Sequence, residues 1–501
     1  MVATILASSM TFIDMTVVNV ALPALQRELQ ATITDVQWVI EAYALFLGAL
    51  ILVGGSLGDQ FGRKKVFLIG VVAFTAASVW CGVAGSPRQL IIGRALQGIG
   101  AAFLVPGSLA IISATFDGAE RGRAIGTWSG FSAITTAIGP VIGGWLIDHV
   151  SWRSAFFVNV PFAAIVVLLS LRYMKESKDP SRTGRIDWIG ALLAVLALGG
   201  IVLGLLEWPP LGPQHPLVIG SLAIGLVCLV LLVVAEHRAR SPMMPLHLFK
   251  SQTFSLANLL TLLLYGAIGV VFFLVPLLLI QVQGYSATIA GAAFLPFPII
   301  MFALSRWSGG LVARTGARLP LTIGPVVAAL GLALFQRAGI APSYWPTIFP
   351  AAVLLGLGMA ITVAPLTTTV MAAVPSDHSG VASGINNTVA RVAGLLAIAI
   401  FGVLLVRRFE AEMRPRLERM ELSQEAKAQI LEELPKMAGA QIGSVSIEEE
   451  ERTQVKRAID ESFLAGFRIV VMGAAVLALG AAAFGSGISS DRKATSARSS
   501  P

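Results

Sequence analysis

Fourteen runs of mostly apolar residues, each near the roughly 20 residues a helix needs to cross a bilayer, leave this 501-residue chain little choice of fold. They fall at about 2–25, 38–57, 65–85, 89–113, 124–147, 154–173, 186–206, 216–235, 254–280, 287–313, 319–337, 345–372, 382–406 and 463–487. Inside lipid every backbone polar group must be satisfied within the protein, so apolar runs of this length read as helices. Only 13% of the residues are charged, against roughly 25% in a soluble domain. The expectation is an all-α polytopic membrane protein with 14 transmembrane helices.

Lys and Arg in the short loops set the orientation. With the N-terminus inside, the inner loops and tail hold Arg63, Lys64, Lys65, Arg121, Arg123, Lys175, Lys178, Arg238, Arg314, Arg318 and Arg492, among others. The short outer loops hold only Arg27, Arg88, Arg153 and Arg337. Both termini are therefore expected in the cytoplasm. The N-terminal run lacks a basic leader, contains Asp14 and Asn19 and continues to Leu25, so it reads as the first span rather than a cleavable signal. Trp38, Trp152, Trp208 and Trp345 fall near outer helix ends, where interfacial anchors sit.

One stretch breaks the pattern. Residues 407–462 are highly charged and fall outside, between helices thirteen and fourteen. They read as two or three amphipathic helices, with Ser446-Ile447-Glu448-Glu449 as a capping box. The acids from Glu448 to Glu451 read as a solvated helix start. The stretch either docks a partner, such as a periplasmic adaptor protein, or covers the mouth of a cavity. The tail 489–501 is polar and Ser-rich and is expected to be a disordered cytoplasmic tail.

Several function classes drop out. The net charge of +8 is spread through loops, with no basic patch for nucleic acid. Cys81 and Cys228 lie inside spans and read as small buried residues. No zinc spacing, phosphate loop or nucleophile elbow appears, so no catalytic residue, metal or cofactor is assigned and the chain is not read as an enzyme.

What remains is polar chemistry at membrane depth. Asp14 lies midway along the first span, where a carboxylate costs at least ~2.5–3.5 kcal/mol and usually marks an ion or substrate path. Arg94 lies inside the fourth span and needs a partner; Asp14 and Glu41 are the available acids. Burial raises a carboxylate's proton affinity and a nearby Arg lowers it. Asp14, Glu41 and Arg94 together can therefore form a proton-coupling site, the alternative for each acid being a structural hydrogen bond or, for Glu41, a wet position. Asn19 and Gln97 are polar at depth and are expected to line a cavity, and Asn386 and Asn387 to pack between helices or line it with them. Arg306 either snorkels inward or pairs with an acid, and Glu207-Trp208 reads as an outer anchor.

The loop Gly55–Lys65, GSLGDQFGRKK, joins Gly55, Gly58 and Gly62 to Asp59, Arg63, Lys64 and Lys65. A weaker echo, GGLVARTGARL from Gly309 to Leu319, follows helix ten. Two such turns imply two related halves of six helices with an inserted pair between them, 6+2+6. The boundaries are 1–175 for the N-terminal bundle, 176–253 for the extra pair and 254–488 for the C-terminal bundle. In helix five, AIGPVIGGWL places Pro140, which breaks the backbone ladder, among Gly139, Gly143 and Gly144, which permit close packing.

These segments, with LIIGRALQGIGAA around Arg94 and IDMTVVNVALPAL from Ile13 to Leu25, resemble the major facilitator superfamily over nearly the whole chain. They resemble in particular its fourteen-helix drug:proton antiporters of the EmrB/QacA type. The resemblance implies a major facilitator fold, conformational gating by the Gly55–Lys65 loop, proton coupling at Arg94 and a helix-five antiporter motif that seals one conformation. It implies a proton-coupled antiporter exporting amphipathic, hydrophobic or cationic drugs from a bacterial cytoplasmic membrane by alternating access. The proton would be the only coupling ion, the partners small-molecule substrates and lipid, and the protein a monomer. The alternatives are an exporter of one metabolite, such as a siderophore or antibiotic, and a non-transporting membrane sensor.

Overall fold

The computed structural model describes residues 1–116, 118–178, 187–239, 242, 244–341, 343–375 and 379–488, and among them it is almost entirely helical, with no strand. The tail from Ser489 lies outside the described residues. The chain runs through α1 (Val2–Leu29), α2 (Ile33–Phe61), α3 (Arg63–Val83), α4 (Pro87–Thr115), α5 (Gly118–His149), the short α6 (Ser154–Phe157) and α7 (Asn159–Tyr173). α8 (Trp188–Leu211) and α9 (Pro216–Arg238) follow. Then come α10 (Gln252–Leu277), α11 (Ala287–Ala292), α12 (Pro296–Gly309), α13 (Leu311–Thr315), α14 (Arg318–Leu334), α15 (Phe349–Ala372), α16 (Ser379–Arg419), α17 (Gln424–Glu433) and α18 (Glu449–Ser486).

Thirteen helical stretches of described residues are long and apolar enough to cross a bilayer. α5, a 32-residue helix with side chains outside the described set, occupies the position of the other expected span. Local chemistry starts these helices where it should. Thr32 Oγ1 accepts from Asp35 N–H while Asp35 Oδ2 accepts from Thr32 N–H, a reciprocal cap on α2. Ser86 caps α4, which has Pro87 in its first turn.

Packing arranges the helices in two groups. α1 lies against α5, α7 and α4, and α2 and α3 both lie along α4. α10 lies against α16 and α18, and α14 against α15 and α18. α8 and α9 pack on each other, and α8 reaches both α2 and α16. The groups meet along α5 with α11 and along α2 with α16. Both glycine turns noted in the sequence adopt positive φ, 118° at Gly62 and 78° at Gly316, a region open to glycine and strained for other residues.

The structure departs from the sequence reading in four places. The tenth run is three pieces, α11, α12 and α13, rather than one helix; Pro296 in the first turn of α12 cannot donate to the turn before it. Helix thirteen does not stop near residue 406 but continues as α16 to Arg419, 41 residues in all. The last helix is capped two residues beyond Ser446, with Glu448 N–H donating to Glu451 Oε2 at 2.9 Å. Trp152 is not an interfacial anchor: it is 1% exposed and donates from Nε1 to Glu28 Oε2 at 2.8 Å. Its indole is covered by the fold and its N–H is satisfied by the exposed carboxylate of Glu28, so the headgroups are not needed as acceptors.

Candidate functional site

Asp14 and Arg94 meet. α1 carries Asp14 to the face shared with α4, and Arg94 Nη1 donates to Asp14 Oδ2 at 2.5 Å. The carboxylate is 0% exposed and the Arg94 side chain 2%. A buried ion pair of this kind is tolerated only when its remaining donors and acceptors are filled. Arg94 Nη1 also donates to Gln97 Oε1 at 2.7 Å, and its Nε to the carbonyl of Val39 at 3.0 Å. The Tyr43 ring lies 4.3 Å from the guanidinium carbon, a cation–π contact.

The second carboxylate oxygen is held from the other side. Gln97 Nε2 donates to Asp14 Oδ1 at 2.7 Å and to Ser78 Oγ at 3.3 Å. Asn159 Nδ2 donates to Asp14 Oδ1 at 3.5 Å and to Ser78 Oγ at 2.9 Å, and Ser78 donates to the Phe156 carbonyl at 2.9 Å. Side chains of α4 and α7 therefore converge on the α1 carboxylate, with Ser78 of α3 tying them together. Gln97, expected as a cavity-lining residue, is instead fully buried here because its amide can satisfy the acid and the guanidinium at once. Ser78 and Asn159 were not singled out in the sequence; a lone Ser and a lone Asn inside apolar runs carry no distinguishing signal.

Glu41 is buried as completely but stands apart from this cluster. It is 0% exposed, and neither carboxylate oxygen has a hydrogen-bond partner among the described residues. By helical spacing it shares a stripe of α2 with Gln37 and Gly48. Both neighbours touch α16: a Cβ on Gly402 would stand 2.0 Å from Gln37 Nε2, and one on Gly48 would stand 3.8 Å from Val392 Cγ2. Glu41 thus occupies the seam between the two helix groups.

The helix-five motif lies behind Asp14, one turn along α1. A Cβ on Gly139 would sit 2.4 Å from Thr16 Oγ1, and one on Gly143 would sit 2.5 Å from Val17 Cγ1. On its other side α5 meets α11: a Cβ on Gly144 would stand 2.4 Å from the Ala287 carbonyl oxygen. Just past the outer end of the fifth span, Asp148 accepts from Ala287 N–H at 3.0 Å, Thr288 N–H at 2.8 Å and Thr288 Oγ1 at 2.6 Å. Burial pushes the Asp148 carboxyl up, but the Thr288 and Ala287 donors outweigh it and hold it below its ordinary value.

The inner loop is knitted to the end of the six-helix group. Arg63 pairs with Asp59 at 2.8 Å. Glu176, which the sequence reading passed over, caps α3 by accepting from Lys64 N–H at 2.9 Å and Lys65 N–H at 3.1 Å. Lys64 Nζ donates to the Met174 carbonyl at 2.6 Å. Gly62 faces this carboxylate: a Cβ there would stand 2.7 Å from Glu176 Cδ. Gly55 lies above, facing Pro106 of α4.

Asn19 lines a small cavity of about 30 Å³ between the groups, with Thr16, Pro140, Phe272 and Phe294. Asn386 is spent on packing, donating to Asn258 Oδ1 at 3.1 Å and Thr261 Oγ1 at 2.7 Å of α10. Asn387, next to it, is exposed. The Arg306 side chain lies outside the described residues.

On the outer face, the turn after α17 crosses both groups. Gln26 Nε2 of α1 donates to the Lys436 carbonyl at 3.0 Å, and Gln281 Nε2 donates to Gln26 Oε1 at 2.8 Å. Lys456 Nζ reaches the Gln281 carbonyl at 3.2 Å.

Residues 4–398 match the family model of the Major Facilitator Superfamily. The chain is 36% identical over 425 residues to the multidrug resistance protein Stp of Mycobacterium tuberculosis, covering 84% of this chain and 78% of that one. It is 33% identical over 405 residues to the tetracenomycin C resistance and export protein of Streptomyces glaucescens, covering 80% and 74%. Its backbone superposes on a bacterial homolog of the lysosomal transporter Spinster, in an inward-facing and occupied conformation, with a TM-score of 0.62 at 18% identity over 97% and 95% of the two chains. That last likeness speaks for the fold alone. The chain belongs to the major facilitator superfamily, as a multi-pass protein of the bacterial cytoplasmic membrane.

Proposed function

We propose that this protein exports amphipathic drugs from the cytoplasm in exchange for protons, by alternating access, with Asp14 as the proton-carrying group. The observation that carries the reading is the convergence of Arg94, Gln97 and Asn159 on an enclosed carboxylate of α1. Names of relatives that confer drug or antibiotic resistance support the export half of it.

Protonating Asp14 removes the negative charge that holds Arg94. The guanidinium then keeps only the Gln97 and Val39 oxygens, and the tie between α1 and α4 loosens. The same turn of α1 bears Thr16 and Val17, which seat Gly139 and Gly143 of α5. α5 in turn seats α11 of the other group. A proton on Asp14 is thereby felt at the seam that must part for outward opening. Glu41 is a second carrier at that seam. An acid there with neither oxygen paired is far cheaper neutral than charged.

Direct competition between a substrate cation and a proton at Asp14 needs an open path to the carboxylate. In this conformation it has none, so coupling runs through helix contacts instead. The test is uptake of amphipathic dyes into inverted vesicles, with and without a proton gradient. Loss of uptake on collapsing the gradient, and in Asp14→Asn, supports the reading; uptake indifferent to both sinks it. A second reading, export of a single metabolite, is favoured by the relative named for tetracenomycin C. Uptake of one compound that a panel of unrelated drugs fails to compete with would establish it.

A further inference from the structure

Both carboxylates at membrane depth are sealed inside the fold, yet one cation at that depth is not. Arg391 lies midway along the apolar part of α16 and is partly exposed. Its position is the seam between the helix groups. A Cβ on Gly48 of α2 would stand 3.9 Å from Arg391 Cβ, and Nη1 lies 3.7 Å from Met15 Sδ of α1. That thioether contact is the guanidinium's one hydrogen bond among the described residues, and thioether sulfur is a weak acceptor. No carboxylate pairs with Arg391 among the described residues.

An Arg at the middle of a span is expensive unless it faces water, a partner or a ligand. Arg94 shows how this chain satisfies one when the purpose is internal. Arg391 is left with most of its fork of donors unfilled. One turn away on the same face stands exposed Asn387, and across from it Met15 is 38% exposed. α1 is flanked by α2, α4, α5, α7 and α10, so this exposure opens on the space between the groups rather than on lipid. An unpaired guanidinium, an amide and a flexible thioether at one level make a site for an acidic head on an apolar body.

We propose that Arg391 selects substrate charge, and that the favoured compounds are amphipathic anions, carboxylates or sulfonates, held by Arg391 and Asn387 with Met15 against the apolar part. This rests on the export reading and narrows it. It also departs from the cationic drugs that the family resemblance implies, because Asp14 and Glu41 are both fully buried and do not face this space.

Two xanthene dyes of similar size, anionic carboxyfluorescein and cationic rhodamine 123, provide the test. Binding is read by fluorescence anisotropy on the purified full chain and transport by uptake into inverted vesicles. The expected result is tighter binding of carboxyfluorescein than of rhodamine 123, weakened about tenfold or more in Arg391→Gln, as loss of a charged partner predicts. Arg391→Lys retains most of the binding, and Arg391→Glu inverts the preference. Carboxyfluorescein binding unchanged in Arg391→Gln and Arg391→Glu, or preferred binding of rhodamine 123 by the unaltered protein, overturns the proposal. Uptake of neither dye alongside Arg391-dependent anion binding would count against export while leaving the charge site standing. Arg391→Lys guards against misreading a folding defect.

Discussion

A Cβ on Gly291 of α11 would stand 2.1 Å from the carbonyl oxygen of Pro140 in α5, so the two helix groups touch there through bare backbone. Nothing can be inserted at that point without moving a helix. Gly291→Val should therefore disfavour this conformation by about 1–3 kcal/mol, the usual cost of overpacking. A cysteine pair placed at Asp148 and Thr288 reports it: each 1.4 kcal/mol lost shifts the closed-to-open equilibrium constant about tenfold, and disulfide formation slows with the closed population. Unchanged yield would mean that α5 and α11 do not close on each other in the membrane.

The Asp14–Arg94 pair is expected to behave as a unit. Arg94→Gln strands the carboxylate and Asp14→Asn strands the guanidinium, each costing about 3–5 kcal/mol if no other group compensates. The double variant should recover most of the folding and none of the proton-driven transport. Thermal unfolding in detergent measures the first and vesicle uptake the second. Additive losses in a double-mutant cycle would show that the two side chains do not interact.

The depressed carboxyl of Asp148 fixes a pH window for the outer latch. A group whose value is lowered in the folded state contributes above its ordinary range and loses that contribution as pH falls through the lowered value. Mild acidity outside should leave the latch to Thr288 intact. Asp148→Asn should weaken it at every pH where Asp148 is ionised, and make little difference below that. Hydrogen exchange of the Ala287 and Thr288 amides follows both, and protection lost already near neutral pH in the unaltered protein would contradict it.

Glu176→Gln removes the charged acceptor at the start of α3. The expected loss is about 1 kcal/mol, typical of a helix cap with its dipole term, seen as a modest fall in melting temperature. The larger consequence is for the loop: Lys64 and Lys65 N–H lose their anchor, and proteolysis near Gly62 should quicken. Equal proteolysis rates would show that Arg63 N–H to Ser177 and the Lys64 ammonium suffice on their own.

Much of this was legible in the amino-acid sequence, for physical reasons. Length and apolarity dictate spans, because lipid leaves few alternatives, and the glycines of helix five could only mean close approach. Asp14 and Arg94 announced each other, since neither is tolerable alone at depth. Trp152 misled because an indole near a helix end looks the same whether it faces headgroups or Glu28. Arg391 is not legible in the sequence, because an Arg late in the chain has no motif to frame it; only the shortage of acceptors around its guanidinium among the described residues marks it. Asn386 and Asn387 were indistinguishable in sequence, and a rotation of 100° per residue sent one to Asn258 and the other into the open.

The outer turn that joins Gln26, Lys436 and Gln281 is held by amide hydrogen bonds beyond the apolar spans, with the Lys456 ammonium on the Gln281 carbonyl beside them. Each neutral bond is worth only about 0.5–1.5 kcal/mol net, and the charged one about 1.5–3. The tie between the two helix groups at this face is thus divided among small, separable increments, none shared with Asp14 or Arg391, and selection can adjust it residue by residue in this turn without touching either.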